Sequence, residues 1–275
     1  SIPKTPTLNS MGRDLSQEAL KGRIQPIFGR AEELKRIAQV LSLKKKSNPL
    51  LIGEAGVGKT ALVEGLSLRL IGDNIPNELR GIRIIELNVS SMLADTKYRG
   101  DFEARIQKII EEATQNQDVV LFIDEIHNLI GAGQGSGGSL DASNILKPVL
   151  ANGSVRCIGA TTIDEYNRYI RNNAAFERRF QPIIIEEPSK SDAIKILEGL
   201  KPGYEKHHDL TITDEAIVAA VELSVRYLLN RRLPDKAIDL IDQAATRKKI
   251  SRLTMMPNDD EAGASKQLIL PEDLA

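Results

Sequence analysis

Residues 53–60 read GEAGVGKT, and this stretch decides the fold. It follows the apolar run 50–52 and opens into the helix-like pattern of residues 61–66. A strand, a glycine-rich turn and a helix in this order are what a P-loop requires. The glycines let backbone N–H groups converge on a phosphate, and the helix N-terminus adds the positive end of its dipole. The pattern favours a nucleoside triphosphate site over a plain glycine turn, with Lys59 at the outer phosphates and the Thr60 hydroxyl on Mg²⁺.

The composition indicates a globular protein with no obvious polyanionic partner. The 275 residues are 41% hydrophobic and 27% charged, with a formal net charge of −1. Such a balance gives no bulk electrostatic reason to expect nucleic acid or an anionic membrane as partner. No apolar run approaches the roughly 20 residues that a membrane-spanning helix needs, and residues 1–6 do not resemble a signal peptide. We therefore expect neither a nucleic-acid nor a membrane partner.

Cys157 is the single cysteine of the chain and lies inside an apolar run. A disulfide within the chain is excluded, so the pattern predicts a buried thiol in a reducing compartment. That compartment would be the cytoplasm or an equivalent such as a chloroplast stroma. The three histidines show no spacing that would indicate a metal site.

Strands and helices alternate through the first two thirds of the sequence. Besides the P-loop strand, apolar runs predict strands at 82–87, 119–123, 155–160 and 182–186. This pattern predicts an α/β fold with a five-stranded parallel sheet flanked by helices. From Pro188 onward only helical periodicity is visible. We therefore expect a large nucleotide-binding α/β domain at 1–187, opened by an extended lead-in over 1–14, and a small all-α lid domain at 188–275.

Two carboxylates end the most apolar of the predicted strands. Asp124 would hold Mg²⁺ through water, and Glu125 would orient and deprotonate the water that attacks the γ-phosphate. A carboxylate pair at a strand end can also be a solvated cap, and a kinase would place its acceptor substrate here instead. The P-loop in the same chain favours the hydrolytic interpretation.

Thr162 follows the strand that we expect beside the P-loop strand. Its hydroxyl can bond the γ-phosphate or the attacking water, or it can cap the helix that begins at Ile163. The two roles are compatible.

Two adjacent arginines, Arg178 and Arg179, follow the short segment 174–177. They could be ordinary surface charge. If they lie at the far edge of the sheet, they suit insertion into a neighbouring subunit's site, where an arginine finger accelerates phosphoryl transfer about 10³–10⁵-fold.

Five motifs together resemble one family. Residues 53–60 (GEAGVGKT), 121–125 (LFIDE), 159–162 (GATT), 177–180 (ERRF) and 233–239 (LPDKAID) resemble the first ATPase module of the Clp family of AAA+ unfoldases. The resemblance covers roughly residues 13–246. It implies an ATPase with ATP or ADP and Mg²⁺ as cofactors, in a homo-hexameric ring that pulls polypeptide through a central pore. It also implies unfolded or tagged protein substrates, with a ClpP-type peptidase and adaptor proteins as possible partners.

The resemblance also implies roles for individual residues. The substrate-gripping pore loop would be Lys97, Tyr98, Arg99 and Gly100, and residues 131–138 would form a second pore loop. Ile27 and Phe28 would flank the adenine, with Ile196 and Pro234 closing over it from the small domain. Phe28 is larger than the aliphatic residue usual there. The full nucleotide-binding set is Ile27, Phe28, Gly53, Glu54, Ala55, Gly56, Val57, Gly58, Lys59, Thr60, Ala61, Leu62, Asp124, Ile196, Pro234 and Asp235, with Thr60 and Asp124 on the metal.

Within this family the chain has features of several branches. The ClpB disaggregases carry a long coiled-coil insertion beyond the position of Thr246, where this chain has a short polar segment, as in ClpA. Residues 5–8 and 141–148 are more like ClpC. No second P-loop is visible, so we expect a fragment of a longer protein.

Two other functions share parts of this pattern. A clamp loader or replication initiator has a P-loop and an arginine finger but acts on DNA, which would call for a basic inner surface. A nucleotide-dependent assembly scaffold would bind ATP without using its hydrolysis for work. The near-neutral charge and the tyrosine in the expected pore loop favour the unfoldase.

Overall fold

The computed structural model describes residues 5–45, 47–73, 75–88, 99–130, 140–251 and 268–274. Lys97, Tyr98, the expected second pore loop at 131–138 and the polar segment at 255–266 lie outside these ranges. The chain forms two compact units. The first comprises Ser1–Ile24, Ala31–Glu54 and Lys59–Ile185, and the second comprises Gln25–Arg30, Ala55–Gly58 and Glu186–Ala275.

The first unit is an α/β sandwich around one sheet. Its strands are β1 (Arg13–Asp14), β2 (Asn48–Ile52), β3 (Arg83–Leu87), β4 (Val119–Ile123), β5 (Arg156–Thr161) and β6 (Phe180–Ile184). Its helices are α1 (Pro6–Met11), α2 (Leu15–Leu20), α3 (Ala31–Leu41), α4 (Lys59–Leu70), α5 (Arg99–Gln115), α6 (His127–Ile130), α7 (Leu140–Asn152), α8 (Ile163–Glu165) and α9 (Ala174–Glu177). A 3₁₀ turn at Asn77–Leu79 and a π-helical turn at Tyr166–Ile170 complete the unit.

The strand order β1-β3-β4-β5-β2-β6 places the P-loop strand inside the sheet. β5 and β6 pair in parallel with β2 on its two sides, and β4 pairs in parallel with both β3 and β5. Every residue of β2 and β4 is buried, as expected for strands covered on both faces by helices. The predicted five parallel strands are therefore confirmed.

A sixth strand extends this sheet beyond the prediction. β1 pairs antiparallel with β3, Arg13 opposite Glu86 and Asp14 opposite Ile85. The lead-in over residues 1–14 is thus not simply extended, because α1 precedes β1. An ion pair of 2.7 Å between Asp14 Oδ2 and Arg83 Nη2 fastens β1 to its neighbour. Leu8 on α1 is fully buried in the core of the unit, so one apolar side chain and polar contacts together hold the segment.

Cys157 lies in the core of the first unit, on the central strand β5. It is fully buried, and burial raises the pKa of its thiol far above the ordinary value. Its backbone N–H donates to Oδ1 of Asn48, a side chain that is only 3% exposed, over 3.0 Å. Asn48 therefore joins the beginnings of β2 and β5 in the middle of the sheet.

The second unit is largely helical. It contains α10 (Lys190–His208), β7 (Thr211–Ile212), α11 (Asp214–Tyr227), α12 (Asp235–Ser251), β8 (Leu268–Ile269) and a 3₁₀ turn at Pro271–Leu274. Serine and threonine caps begin two of the helices: Ser189 accepts from the Asp192 N–H, and Thr213 from the Ala216 N–H.

The second unit is helical as predicted, and a small sheet is added to its helices. β7 and β8 pair in parallel, Thr211 opposite Leu268 and Ile212 opposite Ile269. Ile212 and Ile269 are both fully buried in the core of the unit. Two-residue strands carry too little periodicity to be distinguished from loop in the sequence.

Among the described residues, no helix is both long enough and apolar enough to cross a membrane.

Candidate nucleotide-binding site

The side chain of the P-loop lysine is hydrogen-bonded to the first two residues of its own loop. Lys59 begins α4, and its Nζ donates to the carbonyl oxygens of Gly53 at 2.7 Å and Glu54 at 3.0 Å. The Gly53 N–H donates to the carbonyl of Thr161 at 3.1 Å, which fixes the start of the loop to the end of β5. An ammonium group therefore lies at the carboxyl edge of the sheet, beside the N-terminus of a helix of three turns. This combination suits a polyphosphate.

The hydroxyl of the P-loop and the first carboxylate of the pair meet. Thr60 Oγ1 donates to Asp124 Oδ2 over 3.2 Å. A hydroxyl and a carboxylate oxygen are hard ligands, and Mg²⁺ in phosphate sites takes one or two protein oxygens with phosphate and water completing its shell. The described residues contain no cluster of three or more acidic, histidine or cysteine side chains that would form an all-protein metal cage. The donor set thus fits Mg²⁺ held jointly with a nucleotide.

Glu125 has an unusual backbone conformation. Its φ is +48°, in the left-handed region that non-glycine residues rarely adopt. The Glu125 N–H donates to Asp124 Oδ1 at 2.8 Å, and Asn128 Nδ2 donates to Glu125 Oε2 at 3.3 Å. Strain of this kind is concentrated at functional sites. The Glu125 side chain is exposed, and its partner Asn128 was not anticipated from the sequence.

A histidine links the segment that follows the carboxylate pair to β5. His127 Nδ1 and Thr161 Oγ1 are 2.9 Å apart, and Thr161 is only 2% exposed. Thr161 also accepts the Gly53 N–H through its carbonyl oxygen. His127 therefore supports the same strand end that anchors the P-loop. Nothing in the sequence indicates this role beyond the position of His127 two residues after Glu125.

Thr162 caps the helix that follows β5. Its Oγ1 accepts the N–H of Glu165 at 3.3 Å. Because β5 pairs with β2, Thr162 follows the strand next to the P-loop strand. Its helix-capping role is observed, and its expected contact with phosphate or water remains a proposal.

Arg178 and Arg179 lie at the opposite end of the sheet from the P-loop. They precede β6, whose first residue pairs with Asn48 at the start of β2, whereas the P-loop follows Ile52 at its end. About 13 Å of extended strand separates these ends. Arg179 Nε donates to the Ala151 carbonyl at 3.1 Å, while exposed Arg178 makes no side-chain hydrogen bond or ion pair within the described part of the chain.

Residues 55–58 of the P-loop belong to the second unit. Within that unit they are contacted by Arg30 and by the first residue of α12. Arg30 is only 7% exposed, and its Nη2 donates to the carbonyl oxygens of Val57 at 2.9 Å and Glu186 at 3.0 Å. The Asp235 N–H points to the carbonyl oxygen of Gly56 at 3.4 Å. Gly56 has a φ of +88°, and a Cβ there would lie 3.3 Å from Cβ of Asp235. Arg30 was not among the expected site residues.

The residues expected around the adenine are also found in the second unit. The ring of Phe28 lies directly over Gly199 on α10, where any Cβ would come within 2.4 Å of the ring. Ile196, one turn earlier on α10, faces Gly29. Pro234 comes immediately before α12. The larger Phe28 is thus accommodated because position 199 has no side chain, a compensation that the sequence did not reveal.

Only part of the expected pore loop is described. Arg99 and Gly100 are the first residues of α5, whereas Lys97 and Tyr98 fall outside the described ranges. The fold and the described residues define a class of protein: a P-loop nucleotide-binding α/β unit with a helical lid.

Comparison with known families agrees with this class in both parts of the chain. Residues 49–184 match the ATPase family associated with various cellular activities (AAA), and residues 189–268 match the AAA lid domain. The chain is 54% identical over 258 residues to the chaperone protein ClpB of Oceanobacillus iheyensis. It is 52% identical over 258 residues to the negative regulator of genetic competence ClpC/MecB of Bacillus subtilis. Each alignment covers 94% of this chain and 32% of the relative.

Solved structures give the same result. An Hsp104 complex with ATPγS and casein matches with a TM-score of 0.82 at 40% identity, over 98% of this chain and 44% of that one. The Saccharomyces cerevisiae Hsp104–ADP complex matches with a TM-score of 0.83 at 41% identity, over 97% of this chain and 44% of that one. The chain belongs to the AAA family of ATPases and is a module of the Clp type, spanning about a third of the curated relatives that it matches.

Proposed function

We propose that this chain is the ATP-hydrolysing module of a ring-forming unfoldase that threads polypeptides through a central pore. The observation that carries the proposal is the 3.2 Å hydrogen bond between Thr60 and Asp124, with Glu125 next in sequence. It joins the P-loop to the carboxylate pair at one edge of the sheet. A protein that only binds nucleotide would need the P-loop but not the carboxylate pair.

Each residue has a distinct role in the proposed reaction. Backbone N–H groups of the P-loop and Lys59 would bind the phosphates, and Thr60 and Asp124 would hold Mg²⁺. The metal neutralises charge on the β- and γ-phosphates when bound. Glu125 would take the proton of the attacking water, and Thr162 would orient that water or the γ-phosphate.

The assembly and its substrate are proposed from the relatives. Hsp104 is described in complexes with casein, and ClpC is described as a regulator of competence. We propose a homo-hexamer that acts on unfolded or tagged proteins, with Lys97, Tyr98, Arg99 and Gly100 gripping the chain. A ClpP-type peptidase and adaptor proteins are candidate partners in a reducing, cytoplasm-like compartment. The single buried thiol supports that compartment.

A DNA-directed ATPase is the second candidate, and charge argues against it. Proteins that bind DNA through its backbone neutralise phosphates with lysine and arginine, whereas this chain has a net charge of −1. A scaffold that assembles without turnover would not need the strained backbone at Glu125, which costs on the order of 1–3 kcal/mol.

We expect the purified chain to bind ATP with Mg²⁺ and to hydrolyse it when assembled. Phosphate release should be measured together with the oligomeric state, because turnover by arginine fingers from a neighbour requires assembly. Lys59→Ala should lose nucleotide binding, since it removes the ammonium group beside the phosphates. Assembly with ATP bound but no release of phosphate would favour the scaffold function, and turnover stimulated by DNA would favour the second candidate.

Tyr98→Ala should reduce the coupling of ATP hydrolysis to substrate. A tyrosine in a pore loop would present a stiff apolar surface at low entropy cost, which suits gripping chains of any sequence. Stimulation of the ATPase by an unfolded protein should therefore fall, while the melting temperature stays near that of the wild type. Tyr98→Phe is the matched control and should keep most of the stimulation. A loss of thermal stability with full stimulation would instead place Tyr98 in the core.

A further inference from the structure

The segment that leads into α10 contains two adjacent glutamates with separate connections inside the second unit. The carbonyl oxygen of Glu186 accepts from Arg30, which also donates to Val57. The carboxylate of Glu187 instead contacts the turn that precedes α12. Neither glutamate was expected to belong to the site.

Glu187 makes three contacts with this turn and with the first residues of α12. Its Oε1 accepts the backbone N–H of Leu233 at 2.8 Å. Arg232 Nη1 lies 3.7 Å from Oε2, and Lys236 Nζ lies 3.9 Å from Oε1. The side chain of Lys236 is 6% exposed, so Glu187 supplies a counter-charge to a buried ammonium group. The hydrogen bond is the shortest of the three contacts and the most directional.

The turn held by Glu187 is the one that contacts the P-loop. Asp235 donates its N–H to the Gly56 carbonyl oxygen at 3.4 Å. The carbonyl oxygen of Arg232 lies 3.5 Å from the position that a Cβ of Gly56 would take. The backbone of residues 232–235 is therefore fitted closely against the glycine.

These contacts set the direction of two peptide groups. A trans peptide is planar, so its N–H points opposite to its C=O. Holding the C=O of Gly56 toward Asp235 turns the N–H of Val57 the other way. Holding the C=O of Val57 toward Arg30 does the same for the N–H of Gly58. Both N–H groups then point away from Asp235 and Arg30. A P-loop binds phosphate through backbone N–H groups that are directed in this way.

We propose that Glu187 is a positioning residue for phosphate binding. By accepting the Leu233 N–H, Glu187 fixes the turn before α12. This turn holds the Gly56 carbonyl group, so that the Val57 N–H of the same peptide is aimed at the phosphate. The proposal rests on the proposed nucleotide function. Glu187 acts through residues 233–235 and does not touch the nucleotide.

Three substitutions separate the hydrogen bond from the charge. Glu187→Gln keeps a side-chain oxygen that can accept the Leu233 N–H and loses the charge. Glu187→Asp keeps the charge, but its shorter side chain no longer extends to that N–H. Glu187→Ala loses both the charge and the acceptor. Glu222→Ala is the matched control, because Glu222 is an exposed carboxylate of the same unit that pairs with Lys190 at 2.7 Å.

The dissociation constant for a fluorescent ADP should be measured on the whole chain, together with thermal unfolding without nucleotide. We expect Glu187→Asp and Glu187→Ala to bind ADP at least about tenfold more weakly, and Glu187→Gln and Glu222→Ala to stay within about twofold of the wild type. Glu187→Gln should nevertheless melt at a lower temperature, because Lys236 keeps its burial and loses its counter-charge.

Each outcome decides between the alternatives. If Glu187→Asp binds ADP as well as the wild type, the hydrogen bond does not position the loop and the proposal is wrong. Equal losses in Glu187→Gln and Glu187→Ala would also overturn it, since the charge alone would then account for the effect. Should Glu187→Ala fail to fold, the comparison of the Gln and Asp variants still decides. Failure of the wild type to bind ADP would instead refute the proposed function.

Discussion

Replacing Glu125 with glutamine should leave ATP bound and lower its hydrolysis by about 10²–10⁴-fold, the usual contribution of a general base. The amide is nearly the same size as the carboxylate but cannot accept the proton of the attacking water. Lys59, Thr60 and Asp124 are unchanged, so the phosphates and Mg²⁺ keep their ligands. The amide oxygen can still accept from Asn128 Nδ2, which lies 3.3 Å from Oε2 of Glu125.

Single-turnover hydrolysis and equilibrium ATP binding should be measured on the same assembled sample. Lys59→Ala provides the contrast, because we expect it to lose binding as well as turnover. Asn128→Ala is a useful neighbour, since it removes the side chain that contacts Glu125 while leaving the carboxylate in place. Near-normal turnover in assembled Glu125→Gln would show that another group is the base.

The second large effect concerns the arginine pair. Arg178→Ala combined with Arg179→Ala should leave nucleotide affinity of the single subunit largely intact and lower turnover in the ring by about 10³–10⁵-fold. The reason is their location: both precede β6, at the end of the sheet opposite to their own P-loop. They suit a neighbour's γ-phosphate and not their own.

The two arginines should also differ from each other. Arg179 is bonded to the Ala151 carbonyl at 3.1 Å, so its guanidinium must exchange this contact before it reaches a neighbour. Arg178 is exposed and has no such bond among the described residues. We therefore expect Arg178→Ala alone to lower turnover more than Arg179→Ala alone.

Mixing variants tests whether the arginines act between subunits. The double variant should regain part of its activity when mixed with Lys59→Ala subunits, because some interfaces then combine an intact P-loop with intact arginines. Arg171→Ala is the matched control, since Arg171 is exposed and its side chain donates to Asn167, four residues before it, and to no other described residue. Full turnover by the double variant as an isolated monomer would contradict an action between subunits.

The parts of this protein that the sequence predicted are those with a continuous local pattern. The P-loop is one uninterrupted motif, and the residues of β2 and β4 are buried on both faces and so are apolar without a break. The short strands β1, β7 and β8 have two residues each and no such pattern. Their pairing depends on the rest of the fold, as the ion pair between Asp14 and Arg83 illustrates.

The supporting residues of the site were missed for a similar reason. Arg30 is 27 residues from Val57 and 156 from Glu186, and its hydrogen bonds to these two residues go to backbone oxygens. A backbone acceptor is the same at every position, so nothing in the sequence indicates which carbonyl an arginine will bind. His127 begins α6 and Thr161 ends β5, 34 residues further along the chain. Their pairing follows from strand order, which sequence periodicity does not specify.

The small sheet of the second unit has a consequence for synthesis on the ribosome. β8 supplies Ile269 to the core, and the Ile269 carbonyl oxygen accepts both the N–H and the hydroxyl of Thr213, at 3.1 and 3.0 Å. A nascent chain that has emerged only as far as Ile185 holds the strands of the large sheet but not this closing strand. At about 5–20 residues per second, the interval until Ile269 appears is roughly 4 to 17 seconds. Newly made chains should therefore have every strand of the large sheet synthesised several seconds before the core of the second unit can close.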